Sequence, residues 1–294
     1  MNHDSLNLQV VLPGLPSVNQ LGHRDQQALR QMVEQFSVAC CLIRQRGVTP
    51  SILETGSGLS TEVFARLTSP ESGGGSVVSI DFRGSIAVET NSRSTLAGPV
   101  VGLRSNVELI DAPSISLPEL LEVYGPQAAD IAQVRMSKAF EHLDPFLDFS
   151  MDDRRVSAVT PFLGGYPSSA RLRQYMTHHG VANNPLLESY RSKDDEFEML
   201  RRTETPSSLE SLLKDRRPNL VFLDSGEFST LVEFLIVDRI SPAGTLLLVQ
   251  DILFPKSIKG FIVGGIVAGS PTWRVAWIDR TTAQGMILAE KLVD

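Results

Sequence analysis

Four short apolar runs in this chain close on an aspartate: "SVVSID" at 76–81, "NVELID" at 106–111, "NLVFLD" at 219–224 and "TLLLVQD" at 245–251. Largely apolar runs of this length suit buried strands, and strands covered on both faces belong to parallel sheets. Between the last two lies "STLVEFLIVDRI", residues 229–240, which has the length and apolar content of a covering helix. Strands that alternate with helices imply a parallel sheet with crossover connections. A further run, "SILE" at 51–54, precedes two glycines and the helix-like "STEVFARL", which gives strand, tight turn, helix, with the helix's first turn at Ser60 or Thr61. At the other end, "WRVAWIDRTTAQGMILAEKL" holds two strand-like runs separated by a short polar stretch. A connection so short makes them pair antiparallel.

Ahead of the first strand, Leu29, Val33, Phe36, Cys40 and Ile43 recur at steps of four and three between His23 and Gly47, so they share one helical face. Gly47 and Pro50 stop that helix. The third strand has two candidates, since "ELIDAPSISLPELLEVYG" and "EMLRRTETPSSLESLLKD" both read as strand, turn and capped helix. The first is preferred, because its distance from Asp81 suits a connection with one helix. Residues 126–205 show no strand pattern and carry many charges, so they read as a helical insertion within a single domain spanning 1–294. Trp273 and Trp277 are read as core residues on one face of their strand.

With 42% hydrophobic residues, the 294-residue chain can bury a sizeable core. Its net charge of −7 opposes binding to nucleic acid, which needs clustered Lys and Arg. The apolar windows "GTLLLVQDILF" and "GFIVGGIVAG" are too short to cross a bilayer, and "MNHDSLNLQVVLPGLP" lacks the pattern of a secretory signal. Cys40 and Cys41, adjacent in a helix, are badly placed to bridge each other and are read as reduced core residues of a cytoplasmic protein.

Gly56 and Gly58 let the backbone of the Gly56–Ser57–Gly58 turn approach a ligand closely, beside the unpaired amides of a helix start at Ser60 and Thr61. A dinucleotide site wants G-x-G-x-x-G facing a pyrophosphate, but here Thr61 stands at the last position and Glu54 would repel that anion. Glu54 instead favours a positively charged ligand. Asp81, about twenty residues beyond the turn at the end of the next strand, is placed to take both ribose hydroxyls, and Phe82 beside it to pack on an adenine. Asp111 has two readings, a hydrogen bond from an exocyclic amine or a cap for the helix in "SISLPELLEV". Together these residues describe a pocket for an adenosine with a cationic tail.

At "ILETGSGLST", "VVSIDF", "NLVFLDSGEF" and "GTLLLVQD" the chain resembles the class I S-adenosylmethionine-dependent methyltransferases, over residues 25–125 and 217–292. The resemblance implies a Rossmann-like α/β fold: seven strands, mostly parallel, helices on both faces, and a C-terminal antiparallel hairpin. It implies that Glu54 and the glycine turn face the methionine part, Asp81 the ribose, and Asp111 with Ala112 the adenine. Metal-dependent relatives place an aspartate after the fourth strand and an Asp-Asn pair after the fifth. Asp224 and Asp251 match, but Ile252 replaces the asparagine, so no metal is assigned. The pair His178 and His179 lacks further ligands at metal spacing.

A sulfonium is an activated alkyl donor, so the protein has chiefly to align and deprotonate a nucleophile. Asp224, at the carboxyl end of a strand, is the expected general base, with Glu227 in reserve. Tyr166 and Tyr175 in the insertion offer rings to a cation, and the insertion itself would act as a lid. The leading expectation is methyl transfer to a small-molecule acceptor. The alternatives keep S-adenosylmethionine but cyclise it with release of methylthioadenosine, or bind it without turnover. The oligomeric state stays open between monomer and homodimer.

Overall fold

Each of the seven runs assigned to the sheet is a strand. The computed structural model describes residues 23–82, 105–124, 142, 144–146, 198–226, 228–253, 260–281 and 285–294, with the side chains of the first helix described from residue 32 onward. Its strands are β1 (Ser51–Thr55), β2 (Ser76–Ile80), β3 (Val107–Ile110), β4 (Leu220–Leu223), β5 (Leu246–Gln250), β6 (Trp273–Asp279) and β7 (Met286–Lys291). They form one seven-stranded sheet in the order β3-β2-β1-β4-β5-β7-β6. The first five pair in parallel, while β7 pairs antiparallel with both β5 and β6. This is the Rossmann-like sheet, with its antiparallel end, that the resemblance implies.

The helices are α1 (His23–Gln45), α2 (Leu59–Leu67), α3 (Leu117–Tyr124), α4 (Leu209–Arg216), α5 (Ser229–Ile240) and α6 (Phe261–Gly269). They sort onto the two faces by the period-two alternation of the strands. Along β4, Leu220 and Phe222 pack toward α1 and α2, whereas Val221 and Leu223 pack toward α3, α4, α5 and α6. On the first face Phe36 of α1 stacks on Phe64 of α2 with ring centroids 4.0 Å apart, and Phe222 meets both edge-on at 5.0 and 5.5 Å. The edge-on contacts add to the free energy of burial because ring edges carry positive and faces negative potential.

The sheet reverses its winding between β1 and β4. The chain leaves β1 for α2 on one face and leaves β4 for α5 on the other, so the two connections part and open a crevice beyond their carboxyl ends.

Some details differ from expectation. The third strand is Val107–Ile110, and of "EMLRR" residues 198–202 are helical. Trp273 and Trp277 do not share a face, because a bulge between Val275 and Trp277 shifts the register by one residue. Trp273 joins the cluster under α5 and α6, and Trp277 packs against the opposite one. Cys40 is a buried core residue, its thiol pushed up to about 12 chiefly by burial, but Cys41 is exposed. Within the expected insertion, Phe146 is fully buried against Gly264 of α6. Tyr166, Tyr175, His178 and His179 lie outside the described residues, as does Glu227. Among the described residues no helix is long and apolar enough to cross a membrane, and no three metal-ligating side chains gather.

Candidate functional site

Last rungs knit the strand ends together: Gly56 N–H donates to Ile80 O at 2.9 Å, Asp81 N–H to Ile110 O at 3.0 Å, and Asp224 N–H to Thr55 O at 3.1 Å. Gly56 sits at φ +83°, and a Cβ there would stand 2.4 Å from the Asp224 carbonyl oxygen. Only glycine fits both the left-handed backbone and this close approach. Asp81 Oδ2 accepts from Ser57 N–H at 3.1 Å and from Ser57 Oγ at 2.8 Å, which fixes the turn against the end of β2.

These ends enclose a cavity of about 480 Å3 at the crevice between β1 and β4. The turn Gly56, Ser57 and Gly58, with Ser60, Asp81, Phe82 and Asp224, lines it. Asp81 and Asp224 are half-buried. So the structure brings together the turn, both strand-end carboxylates and the neighbouring ring.

Other expected residues stand elsewhere. Glu54 is fully buried beneath the turn and does not line the cavity. Its Oε1 accepts from the Ser60 hydroxyl and its Oε2 from Thr61 Oγ1 at 2.7 Å. Thr61 Oγ1 accepts in turn from Gly58 N–H at 3.0 Å. α2 therefore begins at Leu59 with Gly58 as its cap, one residue ahead of the expected start. Burial outweighs the hydroxyls of Ser60, Thr61 and Ser79 and pushes the Glu54 carboxyl up to about 8, with the nearby Asp224 charge acting in the same direction. Asp111 is exposed and Ala112 buried, and neither lines the cavity. Nor does Asp111 cap α3: Ser116 does, its Oγ accepting from Glu119 N–H at 3.4 Å while its own N–H donates to Glu119 Oε2 at 2.6 Å in a capping box. Asp251, at φ +61°, is buried off the cavity, and its carbonyl accepts from Gly260 N–H at 3.1 Å.

Sequence reasoning missed two walls. One is Pro113, Ser114 and Ile115, in the loop from β3 to α3. The other joins Met32 of α1 to Met199 and Leu200 of the helical residues 198–202. Ser225 and Gly226 also line the cavity, and their place just after the "NLVFLD" strand is a signal that small residues there leave room for a ligand. No comparable signal marks the methionines.

The strand order and the crevice define the class: a doubly wound α/β protein with a cavity at the switch point, where ligands bind in such sheets. Compared with known proteins, the chain matches no protein-family model and no curated protein sequence. Among solved structures it is similar to an O-methyltransferase from Bacillus cereus in complex with SAH, at 14% identity and a TM-score of 0.32 over 93% of this chain and 94% of that one. It is similar also to the O-methyltransferase TomG from Streptomyces achromogenes in complex with SAM, at 14% identity and a TM-score of 0.36 over 90% of each chain. A third is cofactor-bound Rv0187 from MTB, at 14% identity and a TM-score of 0.37 over 96% of this chain and 85% of that one. The class rests on the strand order and the crevice, independently of these likenesses.

Proposed function

We propose that this protein is an S-adenosylmethionine-dependent methyltransferase that acts on a small-molecule acceptor. The observation that carries the reading is the meeting of the glycine turn, Asp81 and Asp224 in one cavity at the switch point. The donor and acceptor set fits a cationic nucleoside. Asp81 offers carboxylate oxygen to ribose hydroxyls beside the turn it already holds, and Phe82 and the Pro113 to Ile115 wall offer apolar surface to a base. Main chain at the turn accommodates the amino-acid part, while Asp81 and Asp224 give the cavity a negative potential that attracts a sulfonium.

S-adenosylmethionine, when bound, supplies a methyl group on a sulfonium, ready for displacement. The chain's own task is then to orient the acceptor and remove its proton. The Asp224 carboxylate, fixed through its main chain to the end of β1, takes that proton, and Met32, Met199 and Leu200 keep water from the acceptor's side. No magnesium enters this scheme.

Product analysis tests it. Incubation with S-adenosylmethionine should yield adenosylhomocysteine only when an acceptor is added. Methylthioadenosine without acceptor, or no nucleoside product across a broad panel of hydroxylated acceptors, overturns the proposal. Asp81→Ala should weaken adenosylhomocysteine binding by about 10- to 100-fold in calorimetry, the loss expected for charge-assisted hydrogen bonds. Asp224→Asn should keep that affinity and slow turnover by about 100-fold or more, as removal of a general base does.

A further inference from the structure

We propose that Glu233 is a positioning residue that sets the width of the nucleoside half of the cavity, holding the Pro113–Ser114–Ile115 wall at a fixed distance from the glycine turn. This rests on the methyltransferase reading above. Glu233 lies in the second turn of α5 as the one carboxylate inside "TLVEFLIV", and it is fully buried. A carboxylate in such a place is costly, and an apolar side chain of similar volume commonly serves packing as well or better. What Glu233 adds is direction. Its Oε2 accepts from Thr55 Oγ1 at 2.8 Å and its Oε1 from the Ser114 hydroxyl. Thr55 is the last residue of β1, immediately before the turn, and Ser114 lines the cavity. One carboxylate thus joins α5, the tip of β1 and the loop that follows β3.

The other described bonds on Pro113 and Ser114 run to a different element. Ser208 N–H donates to Pro113 O at 3.0 Å and Leu209 N–H to Ser114 O at 3.1 Å, which hold it to the start of α4. They fix the loop relative to α4, and the Asp81 N–H to Ile110 O bond ties its start to β2, while the Ser114, Glu233 and Thr55 chain links the wall itself to the residue before the turn. A ligand clasped between turn and loop senses their spacing directly, because complementarity is lost when one wall shifts by a fraction of an ångström.

The test is calorimetry with adenosylhomocysteine on the full chain, alongside thermal unfolding. Ser114→Ala removes one donor and should raise the Kd about tenfold, the upper scale of one buried hydrogen bond. Glu233→Gln keeps the volume and one acceptor and should cost less. The combined variant should lose no more than Ser114→Ala alone, since both changes cut the same chain. Trp273→Phe is the control: it removes the 2.8 Å indole bond to Asp238 Oδ1 of α5, and should lower the Tm with no change in Kd. Unaltered affinity in Ser114→Ala overturns the positioning role and leaves the methyltransferase reading intact, as does an equal weakening in Trp273→Phe. Absence of binding by the wild-type protein overturns both. If Glu233→Gln fails to fold, Ser114→Ala and Trp273→Phe still decide.

Discussion

Glu54 and Asp81 stand at the ends of neighbouring strands and do different work, and the difference lies in which way each side chain leaves the sheet. Glu54 belongs to the strand and alternates with Leu53 and Thr55, so it turns toward α2 and is buried among hydroxyls. Asp81 comes just after its strand, at the rim, where it lines the cavity. Because the Glu54 carboxyl stands at about 8 in the fold against 4.5 for an ordinary glutamate, its neutral form favours the folded state. That contribution is complete below about pH 4.5 and disappears as the pH rises through about 8. The Tm of the wild-type protein should therefore fall across this window more steeply than that of Glu54→Gln, as read by thermal unfolding at a series of pH values. The type of residue at each strand end was legible in the sequence, and so was the register of the turn with Asp81. The side from which Glu54 acts follows from strand alternation, provided the strand is taken to run through Thr55. Asp111 was less legible, since a ligand contact and a helix cap both suited it; the cap is supplied instead by Ser116, with Glu119 three residues later.

At the scale of elements, the turn after β1 is the most constrained. Gly56→Ala places a methyl group against the Asp224 carbonyl at a backbone angle that alanine disfavours. The substitution should destabilise the protein by about 1–3 kcal/mol, measured by urea unfolding, and should weaken adenosylhomocysteine binding because Asp224 and the turn must part. The inner parallel strands were legible because burial on both faces leaves an apolar signature that few other elements share, whereas β3, with Glu108 exposed, was read from its spacing. The bulge in β6 was not, since one extra residue leaves composition unchanged and only reverses which side chains face which layer. Residues 198–202 were also misread: five residues with two apolar side chains among charges give too short a window to separate a helical turn from a strand.

Across the whole molecule, the switch point between β1 and β4 decides where a ligand can enter, and the two helical layers decide how firmly that place is held. The α1 and α2 layer depends on the stack of Phe36, Phe64 and Phe222. Phe36→Ala should cost about 3–5 kcal/mol, seen as a lower urea midpoint at unchanged slope. The doubly wound plan was legible from the order of apolar runs, while the inner walls of the cavity were not, because Met32, Ser114 and Met199 come together only through the folding of distant segments. The register slip in β6 has a practical sequel. The chain has only two indoles, and they report from opposite sides of the sheet, Trp273 from beneath α5 and α6 and Trp277 from beneath α1 and α2. Replacing either one by phenylalanine leaves a single indole on a chosen side, so emission excited beyond the tyrosine band can tell whether the two layers come apart together or in turn.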